Sequence, residues 1–260
     1  MSPILAPENT PADGIRPRPH PAETILSRPR RRRADDYYFV AMCLVILGTV
    51  YLGFARSYYQ AGTLHAPLPS IVIHVHAVVF SAWVLLLIVQ TTLVSIGRVN
   101  WHKKVGILGA GLACLVVVMG VLGILDSTRR HFAPPGLSAG QFLAVDLLEM
   151  VVFAFLVIWG LRLRRDGPAH KRLFLLANIS LLSAPIGRWP FYFISHFPPS
   201  ISLVIAAFLL SLMTFDLASR RRIHRVTVLG SLAILLTAPV AFGPLAHLPI
   251  WLQFTAWVQR

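Results

Sequence analysis

The sequence predicts an all-α polytopic membrane bundle of about seven transmembrane helices, with the N-terminus in the cytoplasm and the C-terminus outside. Three observations lead there. Seven apolar runs, at 37–55, 69–94, 105–125, 142–163, 172–189, 199–218 and 226–246, are long enough to cross a hydrocarbon core, which is about 30 Å thick. Only 13% of the 260 residues are charged and the mean hydropathy is +0.68, whereas soluble domains carry about 25% charged residues. So few charges cannot cover a water-facing surface, so most of this surface faces lipid. Lys and Arg also alternate between loops: nineteen fall on segments assigned to the cytoplasm and five on segments assigned outside. Lys and Arg are retained on the cytoplasmic side of membranes, so the bias supports both the span count and the orientation.

Residues 1–36 read as a disordered cytoplasmic tail, with seven prolines and seven arginines. Such a composition buries too little apolar surface to fold alone. The stretch Tyr37–Ala55 is too long for the apolar region of a signal peptide and lacks a small-residue cleavage site, so it reads as an uncleaved first span. The bundle then occupies 37–246. The second span carries His74, His76, Phe80, Trp83 and Gln90. The third carries Gly106, Ala110 and Cys114, and Gly109 with Ala113, at the four-residue spacing that lets helices approach closely, within a monomer or a homo-oligomer.

The fourth span holds Asp146 and Glu149. The fifth is the shortest and most polar, with Asn178, Ser180, Ser183 and Pro185, so it should be surrounded by protein rather than lipid. The apolar segment 247–260 is short and aromatic, and should lie along the outer surface. Cys43 and Cys114 both lie in apolar runs and read as buried, inert thiols.

The net charge of +14 does not point to nucleic acid, because the basic residues sit in short clusters between apolar runs. The partner implied is the lipid bilayer. No phosphate-binding glycine loop, nucleotide fingerprint or Ser-His-Asp arrangement is present, which excludes soluble ATP-driven chemistry. No motif decides for or against an enzyme.

Three segments echo one another: Trp101-His102-Lys103-Lys104-Val105, Ala169-His170-Lys171-Arg172-Leu173 and Ile223-His224-Arg225-Val226-Thr227. Each starts an outward-going span after an inward-going one, which suggests three helical hairpins: spans two and three, four and five, six and seven. Basic residues at these starts anchor helices to headgroups. Alternatively, His102, His170 and His224 at one depth form a cytoplasmic cluster for a metal or haem.

The stretch His170-Lys171-Arg172-Leu173-Phe174-Leu175-Leu176-Ala177 with Gly187-Arg188 resembles a family of uncharacterised bacterial multi-span inner-membrane proteins. The segments His74 to Gln90 and Trp101 to Gly106, and Asp216 with the arginines before His224, resemble the rest of that pattern over roughly residues 70 to 230. The resemblance implies a helical bundle in the bacterial inner (cytoplasmic) membrane. It implies no activity.

Ionisable side chains inside a span are costly, and so mark candidate sites. His74 and His76 lie about 8 to 10 Å below the outer boundary at 1.5 Å per residue. They are separated by about 200° around the helix and cannot both face one small site. Asp146 and Glu149 share one face of the fourth span at a matching depth, and Arg188 ends the fifth span on the same side. His65, Asp126, His131, Tyr192 and His196 fall near this mouth.

The ligand, metal or proton candidates are therefore His74, His76, Asp146, Glu149 and Arg188. His76, Asp146 and Glu149 have the ligand types that suit a divalent metal, although no HExxH or Glu-x-x-His motif is present. A b-type haem would need His76 with a loop histidine, or two of His102, His170 and His224. The main expectation is a metal-, haem- or proton-binding redox-type protein with its site in the outer leaflet. The alternatives are a small-molecule or proton-coupled transporter, and a non-catalytic sensor or scaffold whose polar residues form a structural ion-pair network.

Overall fold

The computed structural model describes residues 30–61, 70–134, 136–197 and 199–260, with side chains from residue 34 onward. The Pro/Arg-rich stretch up to residue 29, and His65, lie outside the described residues. Helix α1 runs Arg30–Phe54 and continues as a π-helical turn, Ala55–Tyr59. It thus begins inside the stretch read as tail, directly after Pro29. Proline often precedes or opens a helix, and the Arg and Ala that follow are good helix formers.

The next helices are α2, Ile71–Ser95, and α3, Val99–Arg129. Ser70 caps α2 by accepting from the Ile73 N–H at 3.3 Å, and the turn into α3 uses the positive φ of Gly97 (82°), a conformation glycine adopts without strain. Helix α4, Ala139–Arg162, opens on a capping box in which Ser138 and Gln141 each accept from the other's backbone N–H. Helix α5, Gly167–Ile179, is capped by Asp166, which accepts from the Ala169 N–H at 3.2 Å, and has Pro168 in its first turn. Two short helices follow, α6, Ser183–Ile186, and α7, Tyr192–His196, then α8, Ser200–Arg220, α9, Arg225–Phe242, and α10, Pro249–Val258.

Six segments are long and apolar enough to cross a membrane: Ala34–Tyr59, Ile71–Ser95, Val99–Arg129, Ala139–Arg162, Ser200–Arg220 and Arg225–His247. Their outward faces are apolar, as at Leu44, Val78, Leu108, Val118, Phe155, Leu210 and Leu232. In water such faces would be unstable, and in lipid they are solvated. The chain is a polytopic all-α membrane protein. Cys43 is buried, but Cys114 is exposed on the outer face of α3, contrary to the expectation of two buried thiols. Gly109 and Ala113 turn inward, and Gly109 packs against Leu86 of α2.

The fifth apolar run is not one continuous helix. It is divided into α5 and the single turn of α6. Pro185 has no N–H to give the carbonyl four residues back, so the helix cannot run through. The six long helices form a ring in the order α1, α2, α3, α4, α9, α8, with α5 inside it, packed on α4, α9, α1 and α8. Leu173, Leu176, Ala177 and Ile179 of α5 and Ile186 of α6 are fully buried. Burial by protein is what the polarity of this run requires. Helix α10 packs against α3 and α4 at the end of the bundle opposite the histidine segments, with the Trp251 indole donating to the Gly140 carbonyl at 2.9 Å.

The three histidine segments tie each helix start to the helix before it. With its oxygen turned to the Gly106 N–H (2.9 Å), the Gln90 amide on α2 donates to the His102 ring on α3. His170 on α5 donates from Nδ1 to the Gly160 carbonyl of α4 at 2.8 Å. The His224 N–H, at the start of α9, donates to Asp216 of α8 at 3.0 Å. Burial and the guanidinium groups of Arg172 and Arg220 hold the His224 imidazole below its usual pKa. The neutral ring can then accept from the Val226 N–H at 3.4 Å and cap α9.

Between these starts lies a fully buried ion pair, Arg172 of α5 with Asp216 of α8. The Arg172 Nε donates to Asp216 at 2.8 Å, and a second guanidinium nitrogen reaches the same oxygen. Asp216 also accepts from the Thr227 hydroxyl at 2.7 Å, and Arg172 donates to the Pro168 carbonyl at 2.8 Å. Asp216→Ala should lower stability by about 3–5 kcal/mol, because Arg172 is left buried without its partner. Arg172→Met combined with Asp216→Leu should recover most of that loss, as apolar pairs of similar volume generally do. Denaturant unfolding in detergent reads both. A double variant no more stable than Asp216→Ala would show that the charges stabilise beyond compensating for each other.

Candidate functional site

Above the end of α5, where the central helix stops, the ring encloses a cavity of about 300 Å³. Each wall has a local cause. The π-helical turn after α1 contributes Ser57, Tyr58 and Tyr59, and such turns are frequent at functional sites. Helix α2 presents His76, Phe80 and Trp83 at helical spacing. Helix α3 faces them with Gly120, where an added Cβ would come within 2.3 Å of Met150 Sδ. Asp146 and Glu149 come from α4, and Asn178, Leu182, Pro185 and Arg188 from the broken α5–α6 segment.

His76 stacks on Phe80, with ring centroids 4.1 Å apart, and donates from Nδ1 to the Met119 carbonyl at 3.0 Å. That bond fixes the tautomer and leaves Nε2 with its lone pair. Gly123 allows the ring to lie against α3, since a Cβ there would be 2.9 Å from His76 Nδ1. Glu149 accepts from the Ser183 hydroxyl at 2.6 Å, which joins α4 to α6. Arg188 donates to the Ala184 carbonyl at 2.7 Å and lies over the rings of Phe54 and Phe132, at 5.1 and 5.9 Å. It stands near enough to Asp146 to act on it electrostatically, but no ion pair joins them among the described residues.

Of the five outer-leaflet candidates, His76, Asp146, Glu149 and Arg188 line this cavity and His74 does not. His74 lies behind it, 3.3 Å from the Tyr58 hydroxyl. Asp126 pairs with Arg130 at 2.7 Å and accepts from Ser70 at 2.8 Å, so it braces the mouth. His131 meets Gln259 of the C-terminal segment, and His196 stacks on Tyr192.

The metal reading of His76, Asp146 and Glu149 is not supported. Among the described residues no three His, Cys, Asp or Glu side chains converge to hold a metal ion. The physical reason is prior engagement: His76 is turned to a carbonyl and a ring, and Glu149 to a hydroxyl. The cytoplasmic trio also fails to converge. His102 and His170 are neighbours, with ring centroids 6.1 Å apart, but His224 serves as a cap elsewhere. His76 is the one histidine among the described cavity residues, so an axial pair for haem is not assembled there.

Sequence reasoning missed Tyr58, and missed Ser183 as the partner of Glu149. The signals were a tyrosine pair at the end of the first span and a serine five residues before Arg188 in the most polar run. No family model, curated protein or solved structure matches the chain, so the site rests on its own geometry. Gly123→Ala should displace the His76 ring from the Met119 carbonyl and cost about 1–3 kcal/mol through overpacking. Gly111→Ala, where an added Cβ meets nothing within 4 Å, is the control and should be neutral or stabilising. Melting curves of the two variants test this, and equal melting would show that the ring is not held against α3.

Proposed function

We propose that this chain is a non-catalytic membrane protein, a sensor or carrier, that takes a small molecule into the outer cavity. The observation that carries the reading is a carboxylate without a hydrogen-bond donor facing an open space, Asp146. In the cytoplasmic half, Arg172, Asp216, His170 and His224 spend their hydrogen bonds on one another and on backbone, as a structural network does. In the outer half, Asp146 has no hydrogen-bond donor among the described residues, and it lines an open space beside Glu149, His76 and Arg188. Apolar walls with a few convergent polar groups are the usual composition of a ligand pocket.

The reading includes an orientation. The nineteen-to-five charge bias supports a cytoplasmic N-terminus, with α5 and α6 together making a seventh crossing. The likeness to bacterial multi-span proteins supports an inner-membrane location. Reporter fusions after Asp36, Arg98, Pro168 and Arg222 should read as cytoplasmic, and those after Ala61, Gly136 and His196 as external. One inverted loop would overturn the seven-crossing topology.

Ligand binding is tested with purified protein against small amphipathic compounds of positive, neutral and negative charge. At least one class should raise the melting temperature of the wild-type protein. Ala77→Phe, which places a ring into the cavity, should remove that rise while leaving the unliganded fold cooperative. If every compound shifts both proteins equally, the cavity is not a ligand site.

A further inference from the structure

We propose that the molecule the outer cavity takes is a small organic cation, an amine on an aromatic or apolar body, with the ammonium group against Asp146 and Glu149. The inference rests on the reading of this cavity as a ligand site. Its first support is a charge count over the described lining residues. Arg130 is matched by Asp126. Arg188 then stands alone against two carboxylates, and neither carboxylate forms an ion pair with it. With both acids ionised, one negative charge is left without a counter-charge in a space walled mainly by apolar side chains. Such a charge requires a cation or a proton.

The second support is the wall itself. Tyr58 and Trp83 line the same cavity as the acidic pair, and aromatic faces attract ammonium groups most strongly where water is excluded. The third is independent of charge. Trp83 is 4% exposed, lines the cavity, and its indole N–H has no partner among the described residues. A buried N–H calls for an acceptor, so the ligand carries a hydroxyl or carbonyl oxygen, or brings in a water. Two carboxylates disfavour an anion, and the absence of a converging ligand set among the described residues disfavours a bare metal ion.

The test is calorimetric titration of purified, detergent-solubilised protein with phenethylamine, 2-phenylethanol and 3-phenylpropanoate, which share a ring and differ in charge. The amine should bind at least about tenfold more tightly than the alcohol, a gap of about 1.4 kcal/mol. The carboxylate should not bind. Asp146→Asn and Glu149→Gln keep the shape and, in Gln, an acceptor for Ser183, so both should fold and lose the preference for the amine. Trp83→Phe should retain that preference and weaken an amine carrying a carbonyl more than phenethylamine itself. If the alcohol or the carboxylate binds as well as the amine, the cation is wrong and the cavity reading survives. If none of the three binds a cooperatively folded wild type, the open valences hold a proton or water, and both readings fall.

Discussion

The buried Arg172–Asp216 pair is the constraint on which the arrangement of helices depends. Neither charge can be withdrawn from water alone, because an isolated ion in a low-dielectric interior costs several kcal/mol. Asp216 is satisfied only when α5, α8 and the start of α9 meet, since its acceptors serve Arg172, the His224 N–H and Thr227 together. Arg172 also reaches back to Pro168 and lies under Phe39, 5.9 Å from the ring centroid, which brings in α1. Tyr38 stacks on Phe215 at 4.0 Å and completes the contact of α1 with α8. In lipid, where apolar surface gives helices little reason to associate, such polar contacts specify which helices pair. Whether they also stabilise the fold relative to an apolar core is a separate matter.

The cavity follows from how the central helix is pinned. Arg172 fixes α5 near its N-terminal end, and Pro185 prevents the helix from continuing to the other side. The interior beyond Ile179 is therefore filled by a turn and by side chains from the ring rather than by a helix. Gly120 and Gly123 on α3 let Met150 and His76 lie close, so the void is not simply a failure of packing. Voids of this kind are expensive where the core could collapse. Here the Ser183–Glu149 bond ties α4 to α6, and Arg188 lies over the Phe54 and Phe132 rings.

Much of the fold was legible in the sequence because bilayer thickness constrains segment length. Six of the seven apolar runs appear as long helices, although their ends differ: the run at 105–125 lies within a helix from Val99 to Arg129. The ends were hard to read because Lys103 and Arg129 are good helix formers as well as interfacial residues. The fifth run was legible as polar and protein-enclosed, and Pro185 with Gly187 as a place where it could break, but not where the helix would stop, since a proline alone does not say whether a helix kinks or ends. The matched depths of His76, Asp146 and Glu149 could be read from residue counting. That they line a cavity without forming a metal site could not, because it depends on Met119, Phe80 and Ser183, which no spacing rule connects to them. Asp216 showed only as part of a resemblance, and its partner Arg172 was hidden among basic residues that looked like headgroup anchors.

The histidine repeats show how similar sequence signals can be separated by what surrounds them. His102, His170 and His224 recur in the same context, which made them look like a set. The structure gives each a local task at a helix start: the His102 and His170 rings bond to the preceding helix, and His224 reaches Asp216 through its backbone N–H while its ring caps α9, so the repetition reflects three separate joints rather than one shared centre. His76 has no counterpart in the other hairpins, and neither do the two acids opposite it. A residue needed for architecture in every hairpin should recur with the architecture. One needed for a site should occur once, where the walls of that site meet, and should keep part of its bonding capacity free. His76 Nε2, Asp146 and the Trp83 N–H meet that description. By that criterion the cavity, rather than the histidine segments at the helix starts, is the candidate site.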